Sequence, residues 1–306
     1  MRTNRVLALG ASMLVALAAC SSGGGSKADI KIGSDNFYES KLMAEIYSQV
    51  LENAGYKVTR SFGLGSRQDR APAFESGQVD LVPEYVGSGL GYYDKTKTTG
   101  DGAANKAALQ AILDTKGANG AALATVFGIT PAQDSNAFVV RKDTAASLKL
   151  AKMSDLAAVQ DQLKWGLPPD CDANPLCKGA LEQYKIAYPP KQRQALAACD
   201  APIAEALKGK AIDVAELCST QPAIVQNGFV QLEDDLKTQP AENIAPLVRN
   251  DYLAKVDKTA FAALLDAASA KMTTAELTKL GVLIAVDNKD VADVAKQWLK
   301  DQGLIK

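Results

Sequence analysis

The side chains that most often carry out covalent or metal chemistry are scarce in this chain. Its 306 residues include five cysteines and no histidine. Without imidazole there is no Ser-His-Asp or Cys-His nucleophile pair and no histidine-based zinc site. Acid–base catalysis near pH 7 would then need a carboxylate, lysine or cysteine with a strongly shifted pKa. We therefore expect a protein that is not an enzyme and that holds no metal and no cofactor.

Charge and length narrow the possibilities further. Lysine and arginine number 34 and aspartate and glutamate number 35, so the formal net charge is −1. A balanced charge gives no basic surface, and we expect no nucleic-acid partner. A chain of this length suits one large or two medium domains with a sizeable core.

The amino terminus has the pattern of an export signal. Arg2 and Arg5 precede an apolar stretch, residues 6–19, that is too short to span a bilayer. It ends in Leu-Ala-Ala followed by Cys20, which resembles the lipidation signal of bacterial lipoproteins. This predicts a signal peptide over residues 1–19, a lipid anchor on Cys20 and a flexible tether over residues 20–28. An ordinary signal peptide with a chance cysteine, or a buried apolar helix, is the alternative.

The four remaining cysteines would face an oxidising compartment after export. Cys171, Cys177, Cys199 and Cys218 allow three disulfide pairings. We favour Cys171 with Cys177 and Cys199 with Cys218. A four-cysteine metal site is the weaker alternative, because no CxxC spacing is present.

Strand and helix patterns alternate along the mature chain, which predicts an α/β architecture with largely parallel sheets. The last sixty residues read as helical, with capping-box spacing at Thr273 and Glu276. The predicted strands cover residues 30–33, 57–62, 79–82, 138–141, 163–166, 186–188, 212–217, 229–232 and 244–248.

Two segments repeat the same local order of elements. Residues 74–85 and residues 207–218 each read as a helix end, a glycine, a strand and a loop. Ligands of open α/β sheets collect at the carboxyl ends of strands. Two such units predict two lobes whose loops face a shared cleft. The alternative is that the repeat has no functional significance, because many α/β proteins repeat helix, glycine and strand.

Several motifs in order resemble the glycine betaine/choline-type substrate-binding proteins of ABC importers. The most specific is Pro83-Glu84-Tyr85-Val86-Gly87-Ser88-Gly89. The other matching segments are residues 32–40, 139–143, 219–224, 232–235 and 239–249.

This resemblance implies a two-lobed periplasmic-binding-protein fold of type II, the Venus-flytrap form, with a cleft between the lobes. Lobe I would hold residues 29–134 and 250–306, lobe II residues 135–249, with crossovers near residues 133–138 and 243–250. The expected partners are a small solute, such as glycine betaine, choline or carnitine, and the transmembrane permease of an importer with its cytoplasmic ATPase. The protein would be an extracytoplasmic monomer held on the membrane through Cys20.

Proteins of this family enclose a quaternary ammonium group with aromatic rings, and this chain has only some of those aromatic residues. Tyr85 matches one of them, whereas Asn136, Cys218, Gln239 and Glu242 stand where others are expected. Amides and carboxylates favour hydroxyls and amines, so a polyphenol-like or sugar-like ligand is the alternative, as is a solute sensor without transport. The expected ligand-binding residues are Phe37, Tyr38, Ser66, Arg67, Tyr85, Asn136, Thr220, Gln221, Glu242 and Asn243.

One expected contact has a second interpretation. Arg67, with Ser66 beside it, could hold a ligand carboxylate or phenolate through a charge-assisted hydrogen bond. The alternative is an ion pair between Arg67 and Asp69 or Glu84.

Overall fold

A computed structural model describes residues 27–169, 171–172, 174–199 and 201–306. The predicted signal peptide, the predicted lipidation at Cys20 and the first part of the tether lie outside the described residues.

The first sheet has five strands in the order β2-β1-β3-β10-β4. Strands β1, β2 and β3 are parallel, and β10 runs antiparallel between β3 and β4. The strands are β1 (Ile30–Gly33), β2 (Val58–Ser61), β3 (Leu81–Tyr85), β4 (Ala124–Val126) and β10 (Ile244–Arg249).

The second sheet repeats this arrangement in the order β7-β6-β8-β5-β9. Its parallel strands are β6, β7 and β8, and β5 is antiparallel to both β8 and β9. The strands are β5 (Asn136–Val140), β6 (Trp165–Leu167), β7 (Arg193–Ala195), β8 (Val214–Cys218) and β9 (Val230–Gln231).

The chain passes between the sheets twice, and each sheet with its helices forms one lobe. The expected lobe boundary at residue 249 is wrong by one strand, because Ile244–Arg249 pairs with β3 and β4 of lobe I. The expectation of largely parallel sheets is also only half right. Each crossover leads into one strand, β5 or β10, that lies fourth in its sheet and is antiparallel to both neighbours.

Helices cover both faces of each sheet, and apolar side chains are buried on each face. Within the described ranges no helix is long and apolar enough to cross a membrane. The α-helices of lobe I are α1 (Tyr38–Asn53), α2 (Arg67–Glu75), α3 (Val86–Tyr93), α4 (Gly102–Leu113), α9 (Asn250–Leu253), α10 (Lys258–Lys271), α11 (Thr274–Ala285) and α12 (Val291–Asp301). Those of lobe II are α5 (Lys142–Leu148), α6 (Ala180–Gln183), α7 (Ala201–Lys208) and α8 (Pro222–Gln226).

The carboxyl-terminal helices agree with the sequence pattern. The Thr273 hydroxyl accepts the Glu276 backbone N–H at the start of α11. The Glu276 carboxylate does not close the predicted box but accepts the Trp298 indole N–H at 3.0 Å. Trp298 lies on the buried face of α12, so this contact joins the last two helices.

Three short strands differ from prediction. Residues 186–188 form no strand, whereas β4 and β7, each three residues long, were not predicted. Both missed strands lie at sheet edges. An edge strand of three residues has too few positions to show an alternating pattern, and pairing with its neighbour decides its conformation.

Both favoured disulfides are confirmed, and both lie in lobe II. Cys171 pairs with Cys177, and Cys199 with Cys218, over Cα–Cα distances of 5.2 and 4.9 Å. Among the described residues no cluster of cysteine, aspartate or glutamate could hold a metal ion.

Candidate functional site

A cavity of about 400 Å³ lies between the lobes, at the loops that follow the central strands. Lobe I and lobe II both contribute to its wall, and the two crossovers form part of it. It is lined by Asp35, Phe37, Gly65, Ser66, Arg67, Tyr85, Ser88, Asp134, Ser135, Asn136, Leu176, Gln239, Pro240 and Glu242.

A buried ion-pair network supports the lobe I side of the cavity. Arg70, in α2, is only 1% exposed and donates to Asp35 at 2.7 Å and to Glu84 at 2.9 Å. Arg67 donates twice to the same Glu84, at 3.0 and 2.8 Å. The two guanidinium groups lower the pKa of Glu84 to about 2 despite its burial. The network ties the loop after β1, the end of β3 and α2 into one rigid wall.

The start of α2 fixes Ser66 and Arg67 locally. Ser66 caps the helix, and both its N–H and its hydroxyl donate to Asp69, at 2.9 and 2.8 Å. Gly65 has φ +104°, and a Cβ there would lie 2.5 Å from the Asp69 carboxylate, so this tight start requires glycine. The Ser66 hydroxyl proton and two Arg67 donors are therefore used within the protein, which agrees with the alternative interpretation of Arg67.

Two aromatic rings form the apolar part of the wall. Phe37 and Tyr85 have ring centroids 5.8 Å apart and planes inclined by 41°. Phe37 is 43% exposed, whereas Tyr85 is 5% exposed and donates its hydroxyl to Glu39 at 2.6 Å. The Tyr85 ring is thus fixed from behind while it borders the cavity.

Each crossover places one carboxylate in the cavity, two residues before its antiparallel strand. Asp134 precedes β5 and Glu242 precedes β10. Asp134 accepts the Thr220 hydroxyl at 2.7 Å, and Glu242 accepts both the N–H and the hydroxyl of Ser88, at 2.9 and 2.6 Å. The crossovers also join each other, because the Asp134 N–H donates to the Glu242 carbonyl at 3.3 Å. Two acidic groups, one for each lobe, therefore lie close to the hinge.

Burial controls how these carboxyl groups ionise. Loss of hydration raises the pKa of Glu242 to about 7, although the Ser88 hydrogen bonds act the other way. Burial and the nearby charge of Asp134 raise the pKa of Glu39 to about 8. Burial also raises the pKa of Asp134, against the Thr220 hydrogen bonds. The site holds a mixture of ionised and protonated carboxyl groups near neutral pH.

Six of the ten predicted ligand-binding residues line the cavity and four do not. Tyr38 is half-buried and packs against Gly281 of α11. Thr220 supports Asp134, and Gln221 is the residue before α8. Asn243 donates to the Thr130 carbonyl at 2.9 Å, so it fixes the crossover. The six that line it are Phe37, Ser66, Arg67, Tyr85, Asn136 and Glu242.

The predicted ligand-binding set omitted the other wall residues, of which three are instructive. Asp35 and Asp134 line the cavity, and Leu176 reaches it from the loop closed by the Cys171–Cys177 disulfide. Asp35 follows the strand β1 at its carboxyl end, a position that could have suggested it. No local sequence signal places Asp134 or Leu176 there, because the crossover and the disulfide position them.

The arrangement matches known proteins in sequence and in fold. The glycine-betaine-binding protein of Pseudomonas aeruginosa is 26% identical over 90% of this chain and 88% of that protein. The glycine betaine-binding protein YehZ of Escherichia coli is 29% identical over 98% and 99%. The carnitine transport binding protein OpuCC of Listeria monocytogenes is 28% identical over 91% and 88%.

Solved structures show the same two-lobed fold of type II. A glycine betaine/carnitine/choline ABC transporter structure aligns with a TM-score of 0.82 at 22% identity, covering 91% of this chain and all of that one. Ligand-free YehZ aligns with a TM-score of 0.78 at 23% identity, covering 90% and 99%. The family described as the substrate binding domain of ABC-type glycine betaine transport systems, OpuAC, matches residues 28–301. The chain therefore belongs to this family of extracytoplasmic substrate-binding proteins.

Proposed function

We propose that the protein captures a small quaternary ammonium solute, such as choline, glycine betaine or carnitine, and delivers it to the permease of an ABC importer. The observation that carries this proposal is one cavity that combines the ring faces of Phe37 and Tyr85 with the carboxylates of Asp134 and Glu242. A methylated ammonium group has no N–H to donate, so ring faces and nearby negative charge are what attract it. The named relatives that bind glycine betaine or transport carnitine support the same class of ligand.

The mode of action follows from a cavity shared by two lobes. A solute that contacts both walls binds the closed arrangement more strongly than the open one and so shifts the protein toward it. The closed protein, a lipid-anchored monomer held through Cys20, would be recognised by the transmembrane subunit. It would carry out no chemical reaction on the solute.

Calorimetric titration with choline, glycine betaine, carnitine and sucrose tests the ligand class. We expect the quaternary ammonium compounds to bind and sucrose not to bind. Replacing Tyr85 by Leu should weaken binding about thirtyfold, and Phe37→Leu about threefold, because a buried ring attracts a cation more than an exposed one. Tyr92→Leu is the matched control, since Tyr92 is 38% exposed and does not line this cavity. Equal affinity in Tyr85→Leu and the wild type would contradict the proposal.

A polar hydroxylated ligand is the second candidate, favoured by one amide. Gln239 is 7% exposed and lines the cavity, and its Oε1 is buried without a hydrogen-bond partner among the described residues. Its Nε2 donates to the Leu176 carbonyl at 2.7 Å, which fixes its direction. A ligand hydroxyl would satisfy the remaining acceptor. If a sugar or a phenol binds tightly and neither choline nor betaine binds, this candidate would replace the first.

A further inference from the structure

Glu39 is a buried carboxyl group just behind the cavity, and no cation of the described chain pairs with it. It lies in the first turn of α1 and is 2% exposed. The Tyr85 hydroxyl donates to Oε1 at 2.6 Å, whereas Oε2 accepts no hydrogen bond from the residues that the structure describes. The group that acts on it electrostatically is another carboxyl, that of Asp134. Burying an ionised carboxylate without a cation costs free energy because its hydration is lost, whereas burying a protonated carboxyl group costs much less.

The Thr220 hydroxyl of lobe II lies between these two acids. It donates its single proton to Asp134 Oδ1 at 2.7 Å, and it is also close enough to interact with Glu39. One hydroxyl proton serves only one acceptor. With Asp134 ionised, the Thr220 oxygen, which has two lone pairs and also interacts with the Tyr38 hydroxyl, can accept a proton from Glu39 Oε2, and one continuous chain of donors results. With both acids ionised, this chain lacks a donor and two like charges face each other.

We propose, on the basis of the proposed solute-binding function, that Glu39 is a positioning residue. In the closed protein it carries a proton and links Tyr85, on the lobe I wall, to Thr220 and Asp134 of lobe II. The order of donors is Tyr85 hydroxyl to Glu39 Oε1, Glu39 Oε2 to the Thr220 oxygen, and the Thr220 hydroxyl to Asp134. Through this chain one proton fixes the ring that borders the ligand and holds the lobes together.

The titratable groups around Glu39 favour the protonated form. Asp134 faces it from the first crossover, Tyr85 from the end of β3 and Tyr38 from the neighbouring position of α1. The two tyrosines are themselves held neutral, because burial raises the pKa of each. Asp35 acts on Tyr85 but is paired with Arg70. Glu39, whose pKa burial raises to about 8, therefore carries a proton at neutral pH.

The test is the affinity for choline between pH 6 and pH 9, measured by calorimetry. Choline keeps a fixed positive charge over this range, so any change belongs to the protein. Glu242 also titrates over this range, since burial raises its pKa to about 7, so the two proteins are compared at each pH. The ratio of the wild-type Kd to the Kd of Glu39→Gln, whose amide both accepts from Tyr85 and donates to Thr220, should rise about tenfold between pH 7 and pH 9. The closed form of the wild type must hold a proton that the solution no longer supplies.

Glu45→Gln is the matched control on the same helix. Glu45 is equally buried, at 3% exposed, but it pairs with Arg60 at 2.7 Å on the side away from the cavity. This variant should keep the wild-type dependence of Kd on pH. A Glu39→Gln variant that titrates like the wild type, so that the ratio of the two Kd values stays constant with pH, would overturn the inference.

Two further measurements separate this inference from the proposed function. If choline, betaine and carnitine all fail to bind, the proposed function is wrong, and Tm of the ligand-free proteins still tests Glu39. The Tm of the wild type should then fall relative to the Tm of Glu39→Gln as pH rises from 6 to 9. A carboxyl group with a raised pKa in the folded state stabilises the protein while it is protonated, and this stability is lost at high pH. A constant difference in Tm would contradict the inference. If Glu39→Gln does not fold, Asp134→Asn should weaken the dependence of Kd on pH, because it removes the like charge that faces Glu39 but leaves Glu39 buried. An unchanged dependence would overturn the inference.

Discussion

The two lobes share one scaffold but differ in how they face the cleft. In each lobe an aspartate at the start of a central strand accepts a backbone N–H from the neighbouring strand, Asp80 from Lys31 at 2.8 Å and Asp213 from Lys164 at 3.0 Å. An arginine at the end of the antiparallel strand donates to carbonyls at the end of the helix that precedes the central strand, which is α2 before β3 and α7 before β8. Arg249 reaches Phe74 and Glu75, and Arg141 reaches Leu207. The repeated order of elements in the sequence therefore reflects a structural repeat.

The difference lies at the carboxyl ends of the equivalent strands β3 and β8. β3 ends in Tyr85, beside the ion pairs of Glu84, whereas β8 ends in Cys218, bonded to Cys199. Lobe I thus stiffens its side of the cleft with charges, and lobe II does so with covalent bonds. Contacts that hold the repeated backbone are alike in both lobes, and the residues that end the strands are free to differ.

The largest expected effect comes from breaking the lobe I network. Arg70→Met leaves Asp35 buried without its cation and removes one of the two cations from Glu84. Losing one member of a buried ion pair costs about 3–5 kcal/mol in the free energy of unfolding. Urea denaturation followed by circular dichroism measures this change. Lys57→Met is the control, because the Lys57–Asp29 pair is exposed; equal stability of the two variants would show that lobe I does not depend on its charges.

The lobe II disulfides should give the next largest effects, in the order of the loops that they close. Replacing Cys199 and Cys218 by Ser opens a loop with a separation of 19 residues and should lower the free energy of unfolding by about 3 kcal/mol. Replacing Cys171 and Cys177 by Ser opens a loop with a separation of only 6 residues and should lower it by about 2 kcal/mol. Urea denaturation of both double variants checks the order. The reverse order would mean that side-chain packing in the folded state outweighs the entropy of the unfolded chain.

The smallest expected effect is a pH dependence at the lobe I crossover. Burial raises the pKa of Glu242 to about 7, above its unfolded value of 4.5. The stability that this group contributes is present below pH 4.5 and is lost as pH rises through 7. Thermal unfolding should therefore show that the free energy of unfolding of the wild type falls by about 1 kcal/mol relative to that of Glu242→Gln between pH 6 and pH 7.

Asp155→Asn is the control for this titration. Hydrogen bonds from the N–H groups of Ala151 and Lys152 lower the pKa of the half-buried Asp155. Its stability relative to the wild type should stay constant over the same range, since the carboxylate is ionised throughout. A constant difference for Glu242→Gln as well would show that Glu242 stays ionised in the folded protein.

How far the site could be predicted depended on where each residue lies. Tyr85 was placed at the cleft by its match to the family motif, and Ser66 and Arg67 by their position in the loop after a strand. Asp134 and Leu176 were missed because the direction of a crossover and the closure of a disulfide place them, and neither shows in a local pattern. Thr220 and Asn243 lie in segments that match the family, but their side chains donate hydrogen bonds to Asp134 and to the Thr130 carbonyl.

The sequence by itself determined the alternation of elements, the absence of imidazole chemistry, the disulfide pairing that we favoured and the family. These depend on residue type and near neighbours, which the order of the chain records directly. Only the tertiary structure decided that Ile244–Arg249 returns to lobe I, and that the Tyr85–Glu39 hydrogen bond lies near the one between Thr220 and Asp134. Burial removes water from groups far apart in the chain, and their pKa values and partners depend on which groups the fold brings together.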